Sequence, residues 1–199
     1  AHFNNIVFAL AVQTDGKIVA GGGFTTHQLG SATAQTATRL VRLNADGSLD
    51  SSFAVLANNR VLALALEADG SILAAGDFTV VRGAADSGDL TRTFVARFSA
   101  AGDLDSAFQP RPNASVSAVV VQRDGKLVLG GDFTSVQSAN SGVSPSANYL
   151  ARIARDGTVD STSLPTPNSA VRALALQSDG KIVIGGTFTR CTPAGASSS

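Results

Sequence analysis

The stretch ALAVQTDGKIVAGGGFTT, residues 9–26, admits two readings: a glycine-rich phosphate loop, or one unit of a repeat. The rest of the chain decides between them, because it spells the stretch again as ALALEADGSILAAGDFTV at 63–80, AVVVQRDGKLVLGGDFTS at 118–135 and ALALQSDGKIVIGGTFTR at 173–190. Asp15, Asp69, Asp124 and Asp179 form one column at steps of 54, 55 and 55 residues, and Gly47, Gly102 and Gly157 form a second at steps of 55. Such a long period marks a solenoid, a propeller or an array. A phosphate loop needs backbone N–H groups converging at the start of a helix, with a Lys in the P-loop type. Nothing helical and no Lys follows GGGFT, AGDFT, GGDFT or GGTFT. The glycines Gly21, Gly22, Gly76, Gly130, Gly131, Gly185 and Gly186 are instead expected to let strands approach closely near an axis.

Each unit breaks into four short apolar runs with turn residues between them, in the first unit IVFALAVQ, KIVAGGGFT, RLVRLN and SLDSSF. Helix is the losing alternative, since every run stops within about eight residues at Asp-Gly or Gly-Gly. In the first run Phe8, Leu10 and Val12 fill one side while Val7, Ala9 and Ala11 fill the other, so both faces are expected to be buried. Antiparallel hairpins covered on both faces arise when small sheets stack around an axis, as propeller blades do. The fold class expected is therefore all-β, a propeller-type array of four-stranded antiparallel blades, about three and a half of them at ~55 residues each. The fourth, less apolar run would be the outer edge strand. The expected blades are 5–56, 57–111, 112–166 and a partial 167–199.

The turns can be read residue by residue. A three-residue loop with Gly16 left-handed in a bulge pairs Val12 with Ile18 and Gln13 with Lys17, keeping apolar against apolar. Gly70, Gly125 and Gly180 hold the same place in the later units. Treating NADGSLD the same way sets Leu43 against Leu49 and Arg42 opposite Asp50, with Arg97–Asp105 and Arg152–Asp160 repeating it. Three such pairs form a ladder that fixes register and neutralises charge within each blade; an anion site on these arginines is the functional alternative. Phe24, Phe78, Phe133 and Phe188 follow each glycine step and are expected to plug the gaps between blades, with Phe53 and Phe108 serving the outer run.

Composition narrows the function. The 199 residues carry 15 basic and 15 acidic side chains, so no overall field favours nucleic acid or an anionic membrane surface. No apolar stretch reaches the ~20 residues needed to cross a bilayer, and the first residues lack the basic region and cleavage site of a signal peptide. Cys191 is the single cysteine and excludes an intrachain disulfide.

The unit V-x-A-L-A-x-Q-x-D-G-K-I-x-x-G-G-x-F-T, followed by A-R-x-x-x-D-G-x-x-D, resembles the delta-60 repeat of bacterial surface and secreted proteins, a propeller-type repeat similar in layout to kelch blades. The resemblance covers nearly the whole chain. It implies a bacterial source, an extracellular or cell-surface location and a β-propeller used for adhesion or binding, with no catalytic motif. Ala75 in place of the first glycine, Ser71 in place of Lys, and Ser161-Thr162-Ser163-Leu164 where SSF stands elsewhere are local departures.

Since repeats share columns for folding, binding is sought where units differ. The segments THQLGSATAQTAT, VVRGAADSGDLTRT and SVQSANSGVSPSAN vary most and are the expected partner face, for a protein or a glycan at the cell exterior. Catalysis is not expected: the chain holds His2 and His27, Tyr149 and one cysteine, with no paired Glu. His27 and Cys191 share a column, but two sparse ligands are a weak zinc signal. No cofactor is expected; calcium is the one ionic candidate, with Asp103 and Asp105, or Asp77 and Asp132, as oxygen donors. Four first hairpins accompany only three second ones, so open blade faces are expected at the ends. Those faces suit a segment of a longer repeat protein, or a subunit of an extracellular filament or oligomer that binds further copies of itself.

Overall fold

The computed structural model describes residues 2–138, 146–162 and 164–194, and the chain is an all-β propeller-type array without helix among them. Ala1, Ser163, residues 139–145 of the third variable segment and residues 195–199 lie outside the described residues. Blade 1 contains β1 (His2–Phe3), β2 (Val7–Val12), β3 (Ile18–Gly22), β4 (Thr26–Gln28), β5 (Gln35–Thr36) and β6 (Leu40–Leu43). Blade 2 repeats them as β7 (Leu56–Ala57), β8 (Val61–Leu66), β9 (Ile72–Gly76), β10 (Val80–Arg82), β11 (Leu90–Thr91) and β12 (Val95–Phe98). Blade 3 has β13 (Arg111–Pro112), β14 (Val116–Val121), β15 (Leu127–Gly131), β16 (Val136–Gln137) and β17 (Leu150–Ile153). Blade 4 has β18 (Thr166–Pro167), β19 (Val171–Leu176), β20 (Ile182–Gly186) and β21 (Cys191–Thr192).

Each blade is one kinked antiparallel hairpin, and in blades 1 to 3 a strand is added beside it. The inner part gives the sheets β2-β3-β6, β8-β9-β12, β14-β15-β17 and β19-β20, and the outer part gives small side sheets such as β1-β4-β5 and β7-β10-β11. Leu56, Arg111 and Thr166, the last residues of the blades expected from the sequence, pair with Arg82, Gln137 and Thr192 and so join the blade that follows. At the kink a single asparagine ties the two arms. The Asn4 side chain donates to Thr25 Oγ1 at 2.9 Å and accepts the N–H groups of Thr25 and Thr26 at 2.8 and 3.0 Å. Asn58, Asn113 and Asn168 do the same to Thr79, Thr134 and Thr189.

The hairpin turns have the expected register: Val12 pairs with Ile18, and the Gln13 N–H donates to the Lys17 carbonyl at 2.8 Å. Gly16, Gly70, Gly125 and Gly180 have φ of 82, 86, 79 and 85°, the left-handed conformation that closes a three-residue loop. The fourth run departs from expectation. It adds one bridge per blade, Leu43–Leu49, Phe98–Leu104 and Ile153–Val159, instead of a strand. The reason is local: in blade 1 Asp50 accepts the Ser52 N–H on its side chain and the Phe53 N–H on its carbonyl, curling the chain so that Phe53 turns inward.

The first strands β2, β8, β14 and β19 pack side by side, which places them innermost. Two kinds of glycine allow this. A Cβ at Gly130 would sit 2.6 Å from Val171 Cγ1 of the next blade, whereas one at Gly131 would sit 2.1 Å from the Ser115 carbonyl oxygen of its own hairpin. Phe24, Phe78 and Phe133 are fully buried, and Phe188 is half-buried in blade 4, whose hairpin has no third strand among the described residues. The two-sided burial expected of the first strand fails in blade 1. Phe8, Leu10 and Val12 are 42, 63 and 65% exposed, with no described blade packed on their face, while the counterparts Leu64 and Leu66 of Leu10 and Val12 pack into the cluster of Val19 and Leu40.

The Arg–Asp pairs reach further than a ladder within one blade. Arg42 Nε donates to Asp50 Oδ2 at 2.8 Å, and Arg97 does so to Asp105 through Nε at 2.9 Å and Nη2 at 2.7 Å. Each guanidinium also lies over a phenylalanine ring, Phe53 at 4.7 Å and Phe108 at 4.3 Å, and donates to a turn carbonyl of the next blade, Ala100 or Arg155. The third pair must be corrected: Arg152 Nε donates to Gln122 Oε1 at 2.9 Å, and Asp160 is held by Lys126 Nζ at 2.7 Å. In blade 1 Lys17 and Arg42 share Asp50, whereas in blade 3 Gln122 gives the Arg152 guanidinium a neutral acceptor and Lys126 holds the carboxylate. In blade 2 the Lys column holds Ser71, so Arg97 keeps Asp105 to itself.

Gly131→Ala is expected to destabilise the chain by about 3 kcal/mol, since the new methyl meets backbone, while Gly88→Ala, with nothing within 4 Å, stays within about 0.5 kcal/mol; urea titration followed by circular dichroism measures both. Burial pushes the Asp50 carboxyl upward, but hydrogen bonds from Lys17, Ser52 and Arg42 outweigh it and hold the pKa far below the ordinary carboxylate value. A depressed carboxylate contributes stability above its unfolded pKa and loses it as pH falls toward the folded one. Asp50→Asn is therefore expected to cost about 2 kcal/mol at pH 7, a gap that closes as both proteins are taken below roughly pH 3.

Candidate functional site: the axial mouth

Pairing sets the two ends of every blade apart. The Asp-Gly turns of both hairpins gather at one end, and the kinks with the variable segments gather at the other. At this loop end an open cavity of about 520 Å³ lies among the inner strands of all four blades. Its wall is made by a backbone irregularity. The register shifts between Val7 and Ala9, Val61 and Ala63, Val116 and Ala118, and Val171 and Ala173, leaving one unpaired residue per blade. Those residues are Phe8, Leu62, Ser117 and Arg172, and all four line the cavity.

The blades that share every folding column thus differ where they meet the axis. Phe8 and Leu62 make one side apolar. The other side is a charged network that steps from blade to blade. Arg60 Nε donates to Asp77 Oδ2 at 2.6 Å, and Ser115 of the next blade donates to Asp77 Oδ1 at 2.6 Å. Arg172 of blade 4 grips Asp132 of blade 3 through both terminal nitrogens, at 2.6 and 2.7 Å, and reaches Ser117 at 3.1 Å. Two cations and two anions leave the mouth neutral yet polar, which suits recognition by shape and directional hydrogen bonds.

Asp77 and Asp132, named as oxygen donors for calcium, spend their carboxylates on these arginines. Asp105 accepts from Arg97 on one oxygen and from the Ala107 N–H at 2.9 Å on the other, and Asp103 pairs with Ser99. Among the described residues no group of three or more His, Cys, Asp or Glu is placed to hold a metal ion. His27 is buried against Phe3, ring centroids 5.1 Å apart, and neither of its nitrogens has a hydrogen-bond partner. Burial holds its pKa below the ordinary value. Cys191 is half-buried in the side sheet of blade 4, three blades from His27.

The variable segments rise from the same end as the mouth. In blades 1 and 2 they form short hairpins, Thr26 pairing with Thr36 and Val80 with Thr91. Each re-enters its blade through a left-handed residue, Arg39, Phe94 or Tyr149, at φ of 65, 67 and 65°. The sequence signal that points to the mouth is a column that changes inside an otherwise repeated hairpin, and its bulge is what period-two reading overlooks.

A family model described as "Domain of unknown function (DUF5122) beta-propeller" matches residues 13–53, 67–108, 122–162 and 177–198. Similar solved structures include the WD40 beta propeller domain of Doa1, with TM-score 0.60 and 15% identity, covering 93% of this chain and 49% of that one. The RRP9 WD40 repeats give TM-score 0.53 at 10% identity, covering 92% and 52%, and U3-55K gives 0.51 at 12%, covering 87% and 43%. At such identities these likenesses show the fold alone. The chain spans about half the length of the solved propellers it matches. No curated protein matches it.

Reversing the charge that joins blades 3 and 4 tests the network directly. Arg172→Glu sets a carboxylate against Asp132, and hydrogen exchange is expected to lose protection in β19 and β20 while β8 and β9 keep theirs.

Proposed function

The chain belongs to the DUF5122 beta-propeller family, and on that premise we propose that it is a non-enzymatic module that binds a protein partner at the loop end of its blades, around the axial mouth. The observation that carries this reading is the convergence of the blade-specific residues. Phe8, Leu62, Ser117 and Arg172, with Arg60, Asp77 and Asp132, come from four blades to one opening, beside the segments that vary most. An apolar side next to satisfied ion pairs is the composition of an interface core with a polar rim. A catalytic role is disfavoured by the same geometry. The mouth's carboxylates are tied to guanidinium groups, and His27 is buried away from it.

The delta-60 resemblance supports placing this binding at the bacterial cell exterior, in adhesion, with a glycan as the other ligand class that such a face serves. Among the described residues no helix is long and apolar enough to cross a membrane. The test uses a phage-displayed peptide library panned on the immobilised chain. Selected peptides are expected to lose at least tenfold in affinity on Arg60→Ala and on Ser117→Tyr, which alter the mouth, and to be indifferent to Arg123→Ala at the turn end. Peptides that ignore both mouth variants, or binding found only on a glycan array, would overturn a protein-binding mouth.

A further inference from the structure

A second opening lies inside the array, where the chain returns from the variable segment of blade 2 and crosses to blade 3. Its volume is about 420 Å³, within the range of small-molecule sites, and Thr91, Arg92, Thr93, Gln109, Pro110 and Arg111 line it. None of these residues lines the mouth. The repeat forms the same groove between blades 1 and 2 and between blades 3 and 4, at about 430 and 410 Å³. Each of those is lined by one arginine and one aspartate, Arg82 with Asp50 and Arg152 with Asp160. The middle groove has two arginines and no acid. Arg92 stands where the other units have Ala37 and Ala147, and Arg111 stands where they have Leu56 and Thr166.

Neutral groups hold both guanidinium groups in place. Arg92, half-buried, donates through Nη1 to the Thr91 carbonyl at 2.8 Å and through Nη2 to the Ser106 carbonyl at 3.2 Å. The Gln109 amide donates to the same Ser106 carbonyl at 2.7 Å, and its Oε1 accepts from Arg111 Nη2 at 3.0 Å. This bridge ties the two cations into one frame. The nearby carboxylates are spent elsewhere, Asp105 on Arg97 and the Ala107 N–H, and Asp86 on the Gly83 N–H at 2.8 Å. Among the described residues neither Arg92 nor Arg111 has an ion pair. Arg92 Nε is buried without a hydrogen-bond partner. Burial, and after it the neighbouring Arg111, hold the Arg92 pKa below the ordinary arginine value. The hydroxyls of Thr91 and Thr93 make no hydrogen bond to the described residues, whereas Thr38, the counterpart of Thr93, donates to the Val55 carbonyl at 2.7 Å.

We propose that this groove binds a small hydroxylated carboxylate with the chemistry of a sugar acid, its carboxylate between Arg92 and Arg111 and its hydroxyls on Thr91 and Thr93. Two planar guanidinium groups with spare N–H donors match an oxyanion, and its charge relieves their mutual repulsion. The volume exceeds what a bare ion fills, and the unused hydroxyls offer the rest of the ligand directional partners. The site is independent of the protein-binding mouth.

Isothermal titration calorimetry of the full 199-residue chain with sodium glucuronate tests this, with glucose and acetate as the two halves of the ligand. Glucuronate is expected to bind at one site, and glucose and acetate each about tenfold more weakly or worse. Arg92→Ala and Arg111→Thr install the residues found at Ala147 and Thr166 of the next groove, so both variants are expected to keep the wild-type circular dichroism spectrum. Each is expected to weaken glucuronate about tenfold, while Arg60→Ala at the mouth leaves it unchanged. Absence of glucuronate binding, or binding that survives both groove variants, would overturn the proposal. Acetate or inorganic phosphate binding as tightly as glucuronate would reduce the groove to a bare anion site and overturn it too. An oligoaspartate peptide that binds more tightly than glucuronate would overturn it in favour of an acidic polypeptide.

Discussion

The approach of each blade's first strand to the glycine step of the blade before it is the constraint on which the rest of the structure depends. At Gly21 and Gly130 the gap is so narrow that a methyl group would fall 2.6 Å from a valine carbon. Gly21, Ala75 and Gly130 stand where the next blade's first strand presses closest, and the large side chains Phe24, Phe78 and Phe133 are fully buried just past each of these positions. A two- or three-stranded sheet alone is marginal in water. The buried clusters accordingly span neighbouring blades, as Val19 and Leu40 do with Val61 and Phe78, and stability is a property of joints more than of blades.

Charge is divided between the two ends of the array. At the turn end, Arg42 and Arg97 each bind a carboxylate, a ring and a carbonyl of the next blade, so a polar contact lies across the same joint that the apolar core closes. At the loop end, the network through Asp77 and Asp132 also crosses joints but lines an opening. One set is repeated and holds blades together; the other differs blade by blade and is available to a ligand.

What was legible in the sequence follows from how local each determinant is. The period, the hairpin turns with left-handed Gly16 and its equivalents, and the register of Val12 on Ile18 are encoded within a dozen residues, and pattern reading reaches them. Arg152 was misjudged because Lys126 and Gln122 sit 26 and 30 residues upstream, in the turn before the neighbouring strand β15, and which partner each side chain takes is settled only in three dimensions. The fourth strand shrank to a bridge because Asp50 caps the chain and turns it away. The asparagine column at Asn4, Asn58, Asn113 and Asn168 was not singled out in the sequence, since its threonine partners stand 21 residues downstream. The axial mouth was hidden because a bulge breaks the alternation that marks a face, and the sequence showed Asp77 and Asp132 without the arginines that claim them.

The reach of Arg42 to Ala100 and of Arg97 to Arg155 spans 58 residues of chain in each case. On a ribosome that distance is a waiting time. At about 5–20 residues per second, each finished sheet idles for roughly 3–12 s before the carbonyl that completes its arginine is synthesised. The molecule therefore matures like a zip drawn from its amino terminus, always one tooth behind the emerging polypeptide, with the newest apolar face bare until the following hairpin arrives to cover it.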